Sequence, residues 1–183
     1  MSMNLRERQQ PLKEEYRRNP ASALLIHSAR SEPLLDDPTR SRITTGSQAW
    51  EVAAHPMAGG PDGMACSGDV LLAALAACQE ITVKMVAASM GIVLDDLRVT
   101  VTGEMDFRGT MGVDRETPVG YQRITCEMRI LAREDPARVR RMAEKAEQYC
   151  VVRATLARGV PVESRIVVEP GSGGSGSDAS IQA

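Results

Sequence analysis

The chain has 183 residues and a mass of 19.8 kDa, enough for one domain with its own hydrophobic core. Lys and Arg number 22 against 24 Asp and Glu, a net charge of -2, which argues against a nucleic-acid binder, whose contacts call for a basic excess. Aromatic residues are only 3%, too few for a base-stacking platform, and the longest apolar run, residues 70–78, is shorter than the roughly 20 residues of a bilayer span, so neither nucleic acid nor membrane is an expected partner.

Residues 1–10 are polar and carry no apolar signal core, so a cytoplasmic setting is expected. Residues 4–18 are charged and read as a surface helix ended by Asn19 and Pro20. A short strand is expected over residues 23–30, then a loop over 31–39, which hold two prolines and two aspartates. Residues 41–45 and 48–54, split by Gly46-Ser47, predict a hairpin, and 56–63, with three glycines and two prolines, a run of turns. Residues 1–39 thus form an N-terminal extension to a single domain that closes near residue 170. Residues 171–183, with eight Gly or Ser among thirteen, read as a flexible tail.

Ser67-Gly68-Asp69 precedes a predicted helix that runs from Val70 to Met90. Ser67 or Asp69 is placed to cap its first amides, and Gly91 fits the left-handed stop. Its first half is apolar on every side, which predicts burial all round. Next comes a period of two, with Leu97, Val99, Val101, Gly103, Met105 and Phe107 on one face. A long turn is expected over 109–120, then a second alternating strand over 121–133 with Ile124, Cys126, Met128 and Ile130 inward. Asp135-Pro136 opens a helix whose stripe is Val139, Met142, Ala143, Ala146 and Cys150. Val160, Val162, Ser164, Ile166 and Val168 alternate as a closing strand. Strands in a meander and helices in blocks indicate an α+β fold.

The four cysteines are Cys66, Cys78, Cys126 and Cys150; none forms a CxxC pair and there are only two histidines, His27 and His55, so a zinc site has little support. Cys126 reads as packing, and Cys66 lies in the turn before the long helix. Cys78, within Ala73-Ala74-Leu75-Ala76-Ala77-Cys78, has two readings: a buried small hydrophobe, the commoner case for such a position, or a nucleophile. A mid-helix thiol gains little from its own helix dipole, so a reactive Cys78 would need a cation from elsewhere. Cys150 likewise reads as a core position, although two inward cysteines on separate helices can meet and bond.

Several motifs occur together, in order, over roughly residues 40–170. Gly59-Gly60-Pro61-Asp62-Gly63 precedes Ser67-Gly68-Asp69-Val70 and the run to Cys78. Asp106-Phe107-Arg108-Gly109 and Pro118-Val119-Gly120-Tyr121 follow, and then Gln148-Tyr149-Cys150-Val151-Val152. In these the chain resembles the OsmC/Ohr family of thiol-dependent peroxidases. The resemblance implies a two-layer α+β fold, antiparallel sheets packed on a central buried helix, in an intertwined homodimer with two sites near the interface. It implies organic hydroperoxides as substrates, an external dithiol as reductant, Cys78 as peroxidatic and Cys150 as resolving cysteine, and no metal, haem or flavin cofactor.

The resemblance also implies an arginine that stabilises the thiolate and an acid that holds the arginine. Asp69 falls where that acid, typically Glu, would lie. Many relatives have Pro after the second cysteine, where Val151 stands here. On one straight helix nine residues rotate by about 900°, so Asp69 must precede the helix to serve the site of Cys78. Arg30, Arg40 and Arg42 are the arginine candidates, with Arg40 and Arg42 first because they start the hairpin. An apolar pocket for the substrate tail is expected from Leu71, Leu75 and Met85, which share a helical side with Cys78. Two other functions remain open: a non-catalytic dimeric redox sensor or small-molecule binder of the same fold, and a thiol hydrolase using His55 as base.

Overall fold

A computed structural model describes residues 5–168. Chain order runs α1 (Leu5–Arg18), β1 (Arg30–Pro33), β2 (Arg40–Thr45), β3 (Gln48–Ala53), α2 (Ser67–Met90) and β4 (Leu94–Met105). It continues through α3 (Phe107–Thr110), β5 (Tyr121–Ala132), α4 (Pro136–Tyr149) and α5 (Val151–Arg158). The strands form two antiparallel sheets, β1-β2-β3 and β4-β5, so the α+β expectation is met.

The β2–β3 hairpin turns at Gly46-Ser47, where Gly46 takes φ +54 and Thr45 pairs with Gln48. Its far end is tied to the start of α2: the Ala53 amide donates to the Ala65 carbonyl at 3.1 Å, and Ala53 bridges Cys66. Gly60 lies against this junction. A Cβ there would fall 1.7 Å from the Ala54 carbonyl oxygen, a backbone atom that cannot swing aside. Gly60→Ala is therefore expected to destabilise the protein by at least about 2 kcal/mol, read as a lower denaturant midpoint at unchanged slope.

Helix α2 stops where its sequence predicts but starts earlier, at Ser67, with Cys66 as its cap rather than Ser67 or Asp69. The Asp69 amide donates to Cys66 Sγ at 3.4 Å, and the Cys66 amide donates back to Asp69 Oδ2 at 2.9 Å. Gly91 ends the helix at φ +67, its amide returning to the Ala87 and Ala88 carbonyls. At 24 residues, α2 as a whole is long and apolar enough to cross a membrane, which the run 70–78 alone is not. Here it packs against β4, α4 and α5 as a core helix. Val83, Val86 and Ala87 meet Met142 and Ala146 of α4, with Ile92 beside them, while Leu97, Met128 and Ile130 close the layer from the sheet. The burial sits in the second half of α2; in the first half only Leu75 is buried, and Leu71 is 38% exposed, contrary to the expected all-round burial.

Other departures have local causes. The β4 alternation ends at Met105 rather than Arg108, because Asp106 Oδ1 accepts the Arg108 amide at 2.9 Å and starts the α3 turn. Residues 24–29 form no strand: Pro20–Ala23 is a 3-10 turn, Leu24, Leu25 and Ile26 are exposed, and β1 begins only at Arg30, the last residue of the expected strand, and runs into the expected loop. Residues 160–168 alternate in sequence yet pair with no strand, and Val160, Val162, Ile166 and Val168 stand exposed. Alternation marks a strand only where a sheet edge receives it, and none within the chain does. Helix α5 was not expected. The tail 171–183 lies outside the described residues.

Candidate active site

Cys78 lies three turns into α2, and Cys150 sits at the joint between α4 and α5, closing the first and opening the second. The α2–α4 and α2–α5 packing brings the two sulfurs into hydrogen-bond contact, both as free thiols. Cys150 is fully buried, whereas Cys78 is half-buried and faces a cavity.

A new helix start always leaves its first amides without partners. In α5 they are shared: Cys150, at the cap position, makes no side-chain cap bond, but the Arg153 and Val152 amides act on its sulfur, while those of Val152 and Val151 act on the Cys78 sulfur reaching over from α2. Burial pushes the Cys78 thiol up, but those two amides, the Cys150 thiol and the Thr82 hydroxyl outweigh it and hold Cys78 below the ordinary thiol value. Cys150 moves the other way, raised first by burial and then by the negative sulfur beside it. The pair is thus polarised: Cys78 is the readier of the two to ionise and Cys150 the thiol that donates to it.

The sequence points to a cation for this task, and the fold supplies backbone dipoles. Among the described residues no arginine or lysine acts on the Cys78 sulfur. Arg40 Nη2 donates to Glu51 Oε2 at 2.6 Å and its Nη1 to Asp36 at 3.0 Å; Arg42 reaches Glu51 Oε1 at 3.2 Å. Arg30 lies 3.9 Å from Glu32. The arginines are held by carboxylates of their own hairpin because Arg42 and Glu51 are paired across β2 and β3. Asp69 sits in the first turn of α2, on the side opposite Cys78, and its carboxylate is held down by the Cys66 amide. It completes the capping box with Cys66 and does not meet Arg40 or Arg42 among the described residues.

The cavity beside Cys78 has a volume of about 830 Å³. From α2 it takes Cys78, Ile81, Thr82, Met85, Val86 and Ser89, spaced three or four apart on one face. Of the expected tail-binding residues, Met85 lines it; Leu71 and Leu75 do not, because the cavity runs from Cys78 toward the carboxyl end of α2. Tyr149 and Val151 close the side next to Cys150. The missed residues Ile81, Thr82, Val86 and Ser89 were readable as the carboxyl-side continuation of the Cys78 stripe. The contribution of α5 was not, since an amide donor has no side-chain signature.

This polarisation has a measurable consequence. Titration of thiolate absorbance is expected to show one midpoint below that of an ordinary thiol. Because the folded Cys78 pKa is depressed, its contribution to stability is present above the unfolded thiol pKa and is lost as pH falls through the folded value.

The OsmC-like protein family matches residues 60–165, a span that holds both cysteines and the helices that join them. The chain belongs to the OsmC-like family. Solved structures agree on the fold. An OsmC-like protein from Mycoplasma pneumoniae is 19% identical, covers 74% of this chain and 89% of its own, and superposes with a TM-score of 0.61. An OsmC-like protein of unknown function from Vibrio cholerae is 11% identical, over 72% of this chain and 94% of its own, with a TM-score of 0.61. An organic hydroperoxide resistance protein from Legionella pneumophila is 20% identical, over 74% of this chain and 91% of its own, with a TM-score of 0.57. No curated protein matches the chain. In this OsmC-like protein α1 and strands β1, β2 and β3 precede the matched span.

Proposed function

We propose that this OsmC-like protein is a thiol-dependent peroxidase that reduces organic hydroperoxides to alcohols. The observation that carries the reading is the polarised Cys78–Cys150 pair opening onto an apolar cavity. The Cys78 thiolate attacks the distal peroxide oxygen. The S–O bond forms as the O–O bond breaks, and the leaving alkoxide takes a proton to become the alcohol. Cys78 is left as a sulfenic acid, two electrons more oxidised. Cys150, already in contact, attacks that sulfur; the S–S bond forms and the hydroxyl departs as water after protonation. An external dithiol then returns both thiols by exchange.

The working unit in this proposal is a pair of chains. Its support is the unpaired alternating segment 160–168 and the open edges of the two-stranded sheet β4-β5, which a second copy can satisfy. Across such an interface Arg40 or Arg42 of a second copy is the remaining route by which the expected arginine reaches a thiolate. Sedimentation is expected to give a dimer.

The direct test is chemical. One equivalent of cumene hydroperoxide should yield a protein lighter by two hydrogens, with peptides containing Cys78 and Cys150 joined, and a dithiol should restore turnover. Peroxide left unconsumed with dithiol present would overturn the peroxidase reading in favour of a sensor or binder.

A further inference from the structure

When a thiolate splits an alkyl hydroperoxide, the alkoxide that leaves is strongly basic and needs a proton. The Thr82 hydroxyl already serves Cys78 itself, lying 2.7 Å from its carbonyl oxygen. Two ammonium groups line the cavity, those of Lys13 and Lys145, and no Asp or Glu does.

Helix register separates the two lysines. Helix α4 runs back along α2: at one end Arg138 donates to the Met90 carbonyl at 2.9 Å, and at the other Cys150 meets Cys78. Lys145 is five residues before Cys150, about 7.5 Å along α4, and four before Tyr149, so it shares a face with the residue that closes the thiol end. Lys13 of α1 also lines a second cleft of about 250 Å³ with Ala88 and Ser89, which stand ten and eleven residues past Cys78, about 15 Å along α2. Of the two, Lys145 is the cation on the thiol side.

Its charge is unspent. Among the described residues Lys145 is in no ion pair, whereas Lys84 on α2 is bound to Glu80. The carboxylates nearest to it in sequence, Glu144 and Glu147, line a different cleft, between α4 and β5, and Glu147 lies 3.7 Å from Arg153. Lys145 does not act on the resting Cys78 sulfur. A bound peroxide brings a nearer target: its distal oxygen approaches the sulfur to about 3–3.5 Å, and the leaving oxygen is one bond farther into the cavity that Lys145 lines. The flexible four-carbon stem of a lysine can follow it there.

We propose that Lys145 is a catalytic residue, the acid that receives the leaving alkoxide. As the Cys78 S–O bond forms and the O–O bond breaks, the Lys145 ammonium gives its proton to the departing oxygen, releasing the alcohol, and the amine left behind regains a proton from water. This rests on the peroxidase reading and adds to it the source of the proton.

The test uses two oxidants that differ in the leaving group. tert-Butyl hydroperoxide expels an alkoxide, whereas peracetic acid expels acetate, which is stable as the anion and needs no proton. The second-order rate of Cys78 oxidation is measured by stopped flow for wild type, Lys145→Met and Lys145→Arg. Lys145 is exposed, so neither change disturbs the core, and any effect on the thiolate itself alters both rates alike. Lys145→Met is expected to slow tert-butyl hydroperoxide by about a hundredfold, the lower range for a positioned proton donor, and peracetic acid by less than about threefold. Lys145→Arg, which keeps the charge and a hydrogen-bond donor, should recover at least about tenfold of the loss. Equal slowing of both oxidants in Lys145→Met, no slowing of either, or Lys145→Arg as slow as Lys145→Met overturns the assignment. If wild type itself reacts with neither oxidant faster than a free thiol does, the peroxidase reading falls, a pattern distinct from loss of leaving-group dependence.

Discussion

Cys78→Ser is expected to lower hydroperoxide reduction by about a thousandfold or more, to the background rate. A serine hydroxyl in the same place keeps the contacts to the Val151 and Val152 amides, but it stays protonated at neutral pH and is a poor nucleophile toward peroxide oxygen. Cys150→Ser should behave differently. Its Cys78 still reacts once, since the amides that favour the thiolate remain, but no adjacent thiol removes the sulfenic acid. One fast turnover should be followed by accumulation of sulfinic and sulfonic forms, visible by mass. Full turnover in Cys78→Ser, or normal recycling in Cys150→Ser, would defeat the assignment of roles.

The second large effect expected is discrimination among peroxides. Cumene or tert-butyl hydroperoxide should outpace hydrogen peroxide in kcat/KM, because only the organic substrates bury apolar surface against Ile81, Met85, Val86 and Tyr149. Each buried methylene contributes about 0.8 kcal/mol, so a four-carbon group adds about 3 kcal/mol if fully covered. Realised in the transition state, that is about a hundredfold. Ile81 is 54% exposed and Tyr149 63%, so cover is partial and about tenfold is the smaller expected figure. Met85→Ala should reduce the preference more than it reduces the rate with hydrogen peroxide. Equal rates for organic and inorganic peroxide would leave the cavity without a role in specificity.

Much of the fold was legible because hydrophobic period reports directly on a buried face. Strand β5 and helices α2 and α4 start and stop within a few residues of their patterns, and Gly46, Gly91 and Asp135 mark their boundaries by backbone geometry and capping. Period fails where a segment has no partner, as at residues 160–168, and where a side-chain cap overrides it, as at Asp106. It also failed at Cys66, since a thiol is a weak acceptor and Ser67 and Asp69 stand beside it as stronger ones.

In the site, the two cysteines were legible through motif, but their electrostatics were not. The sequence suggested an arginine, and the hairpin arginines are held by Asp36 and Glu51 instead. What acts on Cys78 within the chain is the start of a different helix, and such a donor comes into view only when the chain is folded.

In the proposed cycle, the burial of Cys150 decides where a Cys78–Cys150 disulfide would be opened. Exchange needs an incoming thiolate in line with the bond, and of the two sulfurs only that of Cys78 borders open space. A dithiol must therefore bond first to Cys78 and expel Cys150 inward. The raised Cys150 pKa makes it a sluggish leaving group, so recycling is the step on which a small, well-fitting reductant has the greatest advantage over a bulky one. Access from one side would thus give the proposed cycle a direction: oxidant and reductant would enter through the same opening, in turn, and meet the same sulfur.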